Sequence, residues 1–134
     1  MIVDTHDHLF AADEVRFPYH PKAPYRPAHP APVEEFLRCM DVAGIDAAVL
    51  VHPTPYQDDH RYVLYCLEQS PERLRGTCLF DPALPVSPRA MEELIRGYPA
   101  VVALRIHAFR ETVPPFEAPE LHNLWAKAGE LGLI

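Results

Sequence analysis

The chain has 134 residues and carries 12 Lys or Arg against 19 Asp or Glu, which gives a formal net charge of −7. Hydrophobic residues make up 49% and charged residues 23%, a composition that is typical of a globular domain and excludes intrinsic disorder. The acidic balance disfavours nucleic acid and membrane surfaces as partners, and no segment has the pattern of a transmembrane helix or a secretory signal.

Short apolar strands and amphipathic helices alternate four times along the chain. The predicted strands span residues 2–6, 47–51, 74–80 and 100–106. The predicted helices span residues 33–43, 58 or 59 to 69, 87–96 and 119–131, with Gly44 and Gly132 ending the first and last. Leu133 and Ile134 then have the character of a fifth strand. No linker interrupts the pattern, so we expect a single domain over residues 1–134.

This alternation predicts a parallel α/β sheet. A (β/α)8 barrel takes about 250 residues, so 134 residues correspond to roughly half of one. We therefore expect a fold of the TIM-barrel type, truncated to about four βα units. An open sheet of the flavodoxin type is the alternative, but it would lack a fifth strand and helix to cover one edge.

A proline-rich segment follows the first predicted strand. Pro18, Pro21, Pro24, Pro27 and Pro30 recur at every third residue, which is the period of a polyproline II helix. The loops that follow the strands of a barrel build its active-site face, so an extended segment here would reach across the mouth. A stiff surface loop is the alternative.

The sharpest chemical signal is the pair of histidines at the end of the first strand. His6 and His8 are two residues apart, so their side chains project from the same face of a strand. Two neighbouring imidazoles can bind one divalent ion, of which zinc is the commonest partner. A hydrogen-bonded structural pair is the alternative. Asp4 lies deeper on the same strand and could orient one of the histidines.

Polar residues also lie at the carboxyl ends of the second and fourth strands: His52, Thr54, Tyr56, Arg105 and His107. In a barrel all of them would face one pocket. A guanidinium in an apolar strand needs an anionic partner, which is either a substrate carboxylate or an acidic side chain of the chain itself. The two histidines are either pocket donors or hydrogen-bonded core residues. The threonine and tyrosine could donate to a ligand, or the tyrosine could pack on its loop.

Other polar and aromatic residues are expected to have structural roles. His60, Glu120 and His122 fall in predicted helices and should face solvent, whereas Trp125 should pack between helix and barrel. The sequence has no glycine-rich phosphate loop and no GxSxG nucleophile elbow. Phosphate-loop and serine-nucleophile chemistry are therefore disfavoured.

The three cysteines, Cys39, Cys66 and Cys78, lack the spacing of a zinc knuckle. Their odd number disfavours a disulfide framework, so we expect reduced core residues and a cytoplasmic location. A nucleophilic role for Cys78 is disfavoured because no activating neighbour is apparent.

Several motifs together resemble the amidohydrolase superfamily, and more narrowly its amidohydrolase-related branch of lactonases and decarboxylases. These motifs are IVDTHDHLF from residue 2, VLVHPT from residue 49, PERLRG from residue 71, LRIH from residue 104 and LWAKA from residue 124. The resemblance implies a distorted (β/α)8 barrel with a mononuclear or metal-free site. It matches His6 and His8 to the family's first-strand histidines and Arg105 to a position that holds a substrate carboxylate. The family's later histidines and its catalytic Asp would lie beyond Ile134.

We therefore expect a hydrolase of a lactone or a related carboxylated small molecule, in which His6 and His8 hold a divalent metal or polarise the carbonyl directly. A decarboxylase on the same scaffold is the enzymatic alternative. HPT at residues 52–54 and DH at residues 59–60 depart from the family's usual QPS and DN, which leaves the substrate open. The alternative of another class is an inactive half-barrel that self-associates through the exposed edges of its first and fourth strands.

Overall fold

The computed structural model describes residues 1–106 and 116–134. Within this part, one parallel sheet contains β1 (Val3–Asp7), β2 (Ala47–Leu50), β3 (Leu74–Leu79) and β4 (Val101–Arg105). The helices are α1 (Val33–Ala43), α2 (Arg61–Gln69), α3 (Ser87–Gly97) and α4 (Pro119–Glu130). A 3₁₀ turn, Thr54–Tyr56, lies between β2 and α2.

The order of the strands decides between the two predicted architectures. The described strands lie in the order β1-β2-β3-β4, and each adjacent pair is parallel. Right-handed connections that always step in the same direction place all their helices on one face of the sheet. A doubly wound sheet instead reverses direction at a switch point. The α/β sheet of the barrel type is therefore confirmed, and the flavodoxin-type alternative is wrong.

The last two residues lie beside β4, where the next strand of a barrel belongs. The Leu104 N–H donates to the Ile134 carbonyl at 2.9 Å, and the Ile134 N–H donates to the Val102 carbonyl at 3.1 Å. The predicted strand character of Leu133 and Ile134 is thus confirmed. The same hydrogen bonds correct the expectation that β4 presents an unpaired edge.

Gly76 defines which face of the sheet the helices cover. A Cβ atom at this position would lie 3.1 Å from Leu67 and 3.4 Å from Val63, so Gly76 faces α2 at close range. Gly76 is level with Leu50, and Leu50 is level with Asp7. Because side chains alternate along a strand, the residues next to these three point to the face away from the helices.

The helix boundaries follow the predicted signals with one exception. α1 spans the predicted residues and ends at Gly44, whose φ of +68° is the left-handed conformation of a helix stop. α2 begins at Arg61 rather than at residue 58 or 59, because the 3₁₀ turn intervenes. The Asp59 carboxylate accepts the Arg61 backbone N–H at 3.1 Å just before the helix, but the N-cap residue is His60 and it makes no side-chain capping bond, so the prediction that Asp58 or Asp59 caps this helix is wrong.

His60 is buried, which corrects the expectation that it faces solvent. Only 7% of the residue is exposed, and its ring packs between His52 and Phe80 at centroid distances of 4.6 and 4.8 Å. Its Nε2 accepts the Leu79 backbone N–H at 3.1 Å. The expectation was wrong because His60 precedes α2 instead of lying on its outer surface.

Two further burial expectations are also wrong. Trp125 is 39% exposed and stacks on Phe116, so it does not fill the space between α4 and the sheet. Cys39 is exposed on α1, whereas Cys66 and Cys78 are buried as expected, and all three are free thiols.

Candidate functional site

The imidazoles of His6 and His8 lie side by side at the carboxyl end of β1. Their ring centroids are 5.1 Å apart, and the rings meet edge to face at 67°. The register of β1 shifts between Asp4 and Asp7, but Asp7 is level with Leu50 on the helix side, and the contact between the two rings places both histidines on the opposite face. His6 is exposed and His8 is half-buried, which leaves the pair accessible to a small ligand.

His8 is oriented by the main chain of the neighbouring strand. Its Nδ1 lies 2.7 Å from the Val51 carbonyl oxygen, directly after β2. A carbonyl only accepts, so Nδ1 carries the proton and Nε2 of the neutral ring carries a lone pair. Burial lowers the pKa of His8 most; the hydrogen bond to Val51 raises it, and the charges of Arg105 and His6 lower it further. The neutral form therefore predominates at pH 7.

Arg105 reaches the same end of the sheet from β4. It is level with Leu79, which alternates with the α2-facing Gly76, so Arg105 lies on the face of His6 and His8. Its guanidinium donates to the His52 carbonyl at 2.6 Å. Its positive charge also lowers the pKa of His8, although burial is the larger cause. The structure thus brings together three of the sequence-predicted site residues.

Two successive carbonyls at the end of β2 hold these groups. The Val51 carbonyl points towards β1 and accepts from His8, while the His52 carbonyl points the other way and accepts from Arg105. Successive carbonyls of an extended chain point to opposite sides, so two neighbouring residues can serve two different strands. The end of β2 is therefore the common support of the candidate site.

The His52 ring itself is a core group. It is completely buried, and its Nε2–H donates to the Gln57 carbonyl at 2.7 Å. Burial, followed by the charge of His60, lowers the pKa of His52 to about 3. Burial likewise lowers the pKa of His60 to about 4. Both rings are neutral at pH 7, and His52 faces the site through its carbonyl rather than its imidazole.

Thr54 and Tyr56 lie in the buried 3₁₀ turn that follows β2. The Tyr56 hydroxyl oxygen accepts the Ala11 backbone N–H at 2.8 Å, and the residue is 1% exposed. The Thr54 carbonyl accepts from the Gln57 amide group at 2.9 Å. In the described residues these contacts belong to loop packing.

The proline-rich segment packs over this turn. The His20 N–H donates to the Pro55 carbonyl at 2.8 Å, and the Tyr19 ring lies 5.1 Å from that of Tyr56. A bridge between Phe10 and Ala31 joins the chain shortly after β1 to the end of the segment. The segment therefore covers the loop at the carboxyl end of β2, on the side where the candidate site lies.

Asp4 contacts the backbone of His6 rather than its ring. Its carboxylate accepts the His6 backbone N–H at 3.2 Å. Asp4 also raises the pKa of Asp7, although burial of Asp7 is the larger cause. Asp4 was predicted to orient an imidazole, but its hydrogen bond to His6 is to the backbone N–H and not to the ring.

The geometry of His6 and His8 fits two ligands of a single metal ion. Two imidazoles bound to one tetrahedral zinc ion at about 2.1 Å have ring centroids about 5 Å apart, close to the spacing found here. Metal-binding histidines usually donate their other ring N–H to a backbone carbonyl or a carboxylate, as His8 does to Val51. Among residues 1–106 and 116–134, no group of three or more His, Cys, Asp or Glu side chains could hold an ion.

Thr77 contacts the main chain that supports the candidate site, a contact that the sequence reasoning missed. Its Oγ1 accepts the His52 backbone N–H at 3.0 Å from the neighbouring strand β3. The signal available in the sequence was a single hydroxyl in an apolar strand, three residues before its predicted end.

His107, predicted to line the pocket, lies outside the described residues. None of the helices within residues 1–106 and 116–134 has the length and hydropathy of a membrane-spanning segment.

A family model described as amidohydrolase matches residues 3–134. The 4-sulfomuconolactone hydrolase of Rhizobium radiobacter is 40% identical over 73 residues, which cover 54% of this chain and 24% of that protein. The matched segment thus spans about a quarter of this curated relative's length.

Two solved structures show the same fold. A probable 2-pyrone-4,6-dicarboxylic acid hydrolase from Acinetobacter baumannii, solved with citric acid bound, superposes with a TM-score of 0.80 at 22% identity. The match covers 97% of this chain and 46% of that one. The 5-carboxyvanillate decarboxylase of Sphingomonas paucimobilis gives a TM-score of 0.68 at 15% identity, over 98% of this chain and 50% of that one. The chain therefore corresponds to about half of these TIM-barrel enzymes.

Proposed function

Because the chain belongs to the amidohydrolase family, we propose that it forms part of the active site of a hydrolase of lactones or related carboxylated small molecules. Two similar proteins support this substrate class by name, a 4-sulfomuconolactone hydrolase and a probable 2-pyrone-4,6-dicarboxylic acid hydrolase. Cytoplasmic location is part of the proposal, and the three free thiols agree with a reducing compartment.

The observation that carries the proposal is the meeting of His6, His8 and Arg105 on one face at the carboxyl ends of their strands. The carboxyl ends of barrel strands are where enzymes of this fold place their catalytic groups. An imidazole pair beside a guanidinium suits a substrate that has both an ester carbonyl and a carboxylate. Arg105 would bind the carboxylate while the histidines act at the carbonyl.

In this proposal the ring nitrogens of His6 and His8 hold a divalent ion, with zinc as the expected metal. A bound ion of this kind polarises a carbonyl oxygen and lowers the pKa of bound water. The Val51 carbonyl fixes the His8 ring with its Nε2 lone pair available for a ligand. A third His, Cys, Asp or Glu ligand would come from outside residues 1–106 and 116–134, since none joins the pair there.

The hydrogen bond of His8 also disfavours the metal-free alternative. There the histidines would polarise the substrate carbonyl by donating hydrogen bonds. The Nδ1–H of His8 is already donated to Val51, and Nε2 of the neutral ring has no proton to donate. Only His6 could then act as a donor, so the geometry of His8 favours the metal-bound form.

Arg105 is the proposed carboxylate-binding residue. A guanidinium has five N–H donors in a planar fork, so one side chain can hold both a backbone carbonyl and a carboxylate. The hydrogen bond to His52 fixes its position at the end of β4. His52, Thr54 and Tyr56 would support the pocket through the loop after β2, and His107 remains a proposed pocket donor.

The proposed substrate class is tested by binding of 2-pyrone-4,6-dicarboxylate to the purified chain, followed by NMR. We expect saturable shifts of the Arg105 Nε–H signal in the unsubstituted chain, and saturable shifts of the His8 imidazole signals that are lost in Arg105→Gln. The matched control is Arg38→Gln, which removes an exposed arginine of α1 and should leave binding unchanged. Absence of saturable binding, or equal binding by Arg105→Gln, would contradict the proposal.

The product distinguishes the two enzymatic functions. The lactone is incubated with the protein in the presence of zinc, and the products are identified. A lactone hydrolase opens the ring and releases no carbon dioxide. A decarboxylase releases carbon dioxide from a carboxylated substrate. We expect ring opening alone. Release of carbon dioxide would favour the decarboxylase, which shares the fold.

A further inference from the structure

One peptide unit connects His8 to a residue on the far side of β2. Its carbonyl, from Val51, accepts the His8 Nδ1–H at 2.7 Å. Its N–H, from His52, donates to Thr77 Oγ1 at 3.0 Å. The C=O and N–H of a trans peptide point in opposite directions. The Val51–His52 peptide therefore lies between Thr77, on β3, and His8, which directly follows β1. The result is a continuous hydrogen-bonded chain across three strands.

Thr77 is well placed to fix this peptide. It is only 7% exposed and lies on the sheet face opposite the α2-facing Gly76. A β-branched side chain has few accessible χ1 rotamers, so the hydroxyl oxygen is held in place. Hydrogen bonds that follow one another in a low-dielectric interior polarise each other, so the bond at Thr77 strengthens the Val51 carbonyl as an acceptor.

We propose that Thr77 is a positioning residue that orients the His8 imidazole through the Val51–His52 peptide. This inference rests on the proposed role of His8 as a ligand. The Thr77 hydroxyl keeps the Val51 carbonyl directed at Nδ1, and this contact aims Nε2 at the position of the ligand. Thr77 thereby acts on the site without touching substrate or metal.

A purely structural role makes a different prediction. Thr77 would then only satisfy the buried N–H of His52, and its removal would lower stability without changing the tautomer or the ligand affinity of His8. Ser70 provides the matched control, because it also has a buried hydroxyl, near the opposite end of β3, where it donates to Glu72 at 2.7 Å. Ser70→Ala should lower stability and leave His8 unchanged.

The test compares Thr77→Val, which keeps the shape and removes the hydroxyl, with Thr77→Ser, which keeps the hydroxyl. Zinc is titrated into each full chain, and the imidazole nitrogens are followed by NMR at constant pH. We expect T77V to bind zinc at His6 and His8 about three- to tenfold more weakly, somewhat below the loss seen when a direct partner of a ligand is removed. We also expect a loss of the Nδ1–H tautomer in T77V and restoration of both properties in T77S.

Unchanged zinc affinity together with an unchanged His8 tautomer in folded T77V would overturn the inference. If T77V does not fold, the wild-type chain still decides, because the inference requires a protected His8 Nδ1–H signal close to Val51, and its absence would overturn it. If the wild-type histidines do not bind zinc, the proposed metal role fails separately. The tautomer comparison then still decides the role of Thr77.

Discussion

Tyr56 shows how a polar side chain at a strand end can serve the fold before it serves a ligand. Its hydroxyl oxygen is the acceptor for the buried N–H of Ala11, which ties the loop after β1 to the turn after β2. The sequence alone could not separate this role from ligand binding, because the partner lies 45 residues away.

Tyr56→Phe should therefore destabilise the chain. Removing the hydroxyl leaves the Ala11 N–H buried without its acceptor, at a cost of about 1–3 kcal/mol in the free energy of unfolding. Urea denaturation measures the change. Tyr65→Phe is the control, since its hydroxyl donates to Glu34 at the surface and its loss should change stability by less than about 0.5 kcal/mol. Equal effects of the two substitutions would contradict this account of Tyr56.

The sequence predicted those site features that depend on local geometry. The shared face of His6 and His8 follows from alternation along a strand, and the position of Arg105 follows from the parallel sheet. It could not predict the contacts that orient them. The bond from His8 spans 43 residues, that from Arg105 spans 53, and that from Thr77 spans 25. Such contacts exist only once the register of neighbouring strands is known.

At the scale of elements, the packing of α2 on β3 depends on a glycine, which has no side chain. Gly76 allows Leu67 and Val63 to approach the strand, and an added Cβ would lie 3.1 Å from Leu67. The same contact places Thr77 on the other face, towards the candidate site. Gly76, which allows the close packing of α2, thus also determines that Thr77 faces the candidate site.

Gly76→Ala should lower the free energy of unfolding by about 1–3 kcal/mol, because the added methyl group overpacks the interface with α2. Thermal or urea denaturation provides the measurement. Gly129→Ala in α4 is the matched control, because nothing lies within 4 Å of its added Cβ. That substitution should be neutral or should stabilise by about 0.4–1 kcal/mol. A stable Gly76→Ala variant would contradict the close approach.

The burial of His60 illustrates what element prediction leaves out. Placing the start of α2 two or three residues too early put His60 on a helix surface, whereas the 3₁₀ turn shifts it into the interior beside His52. The strand order, by contrast, followed from the regular alternation of strands and helices. Short irregular turns therefore limit the sequence reasoning more than the regular elements do.

At the scale of the whole molecule, the two buried histidines make stability depend on pH. Their pKa values of about 3 for His52 and about 4 for His60 lie below the ordinary value of 6.5. Below this value the unfolded chain binds protons that the folded chain does not, so stability is lost as the pH falls. Asp58 and Asp59 raise the pKa of His60, and Arg105 lowers that of His52, but burial is the largest cause for both.

We expect the free energy of unfolding to decrease between about pH 7 and about pH 5, by up to about 2 kcal/mol for each ring. Urea denaturation at the two pH values measures this difference. Equal stability at both pH values would show that the two rings do not remain neutral in the folded chain.

We also expect the chain on its own to self-associate. β1 is an edge of the described sheet, and the apolar residues Ile2 and Val3 are 58% and 45% exposed beside it. An exposed strand edge can pair with a second chain. Sedimentation velocity should show a weight-average sedimentation coefficient that rises with protein concentration. Val3→Lys should reduce this rise. A monomer at all concentrations would contradict the prediction.

The most direct test of the account is a zinc titration of the chain, followed through the imidazole signals of His6 and His8. The account predicts that both rings respond together to one ion, that His8 keeps its Nδ1–H, and that His6→Ala or His8→Ala lowers the zinc bound per chain in elemental analysis. His29→Ala should leave the bound zinc unchanged. Separate responses of the two rings, or unchanged zinc content in His6→Ala, would contradict a single site at the end of β1.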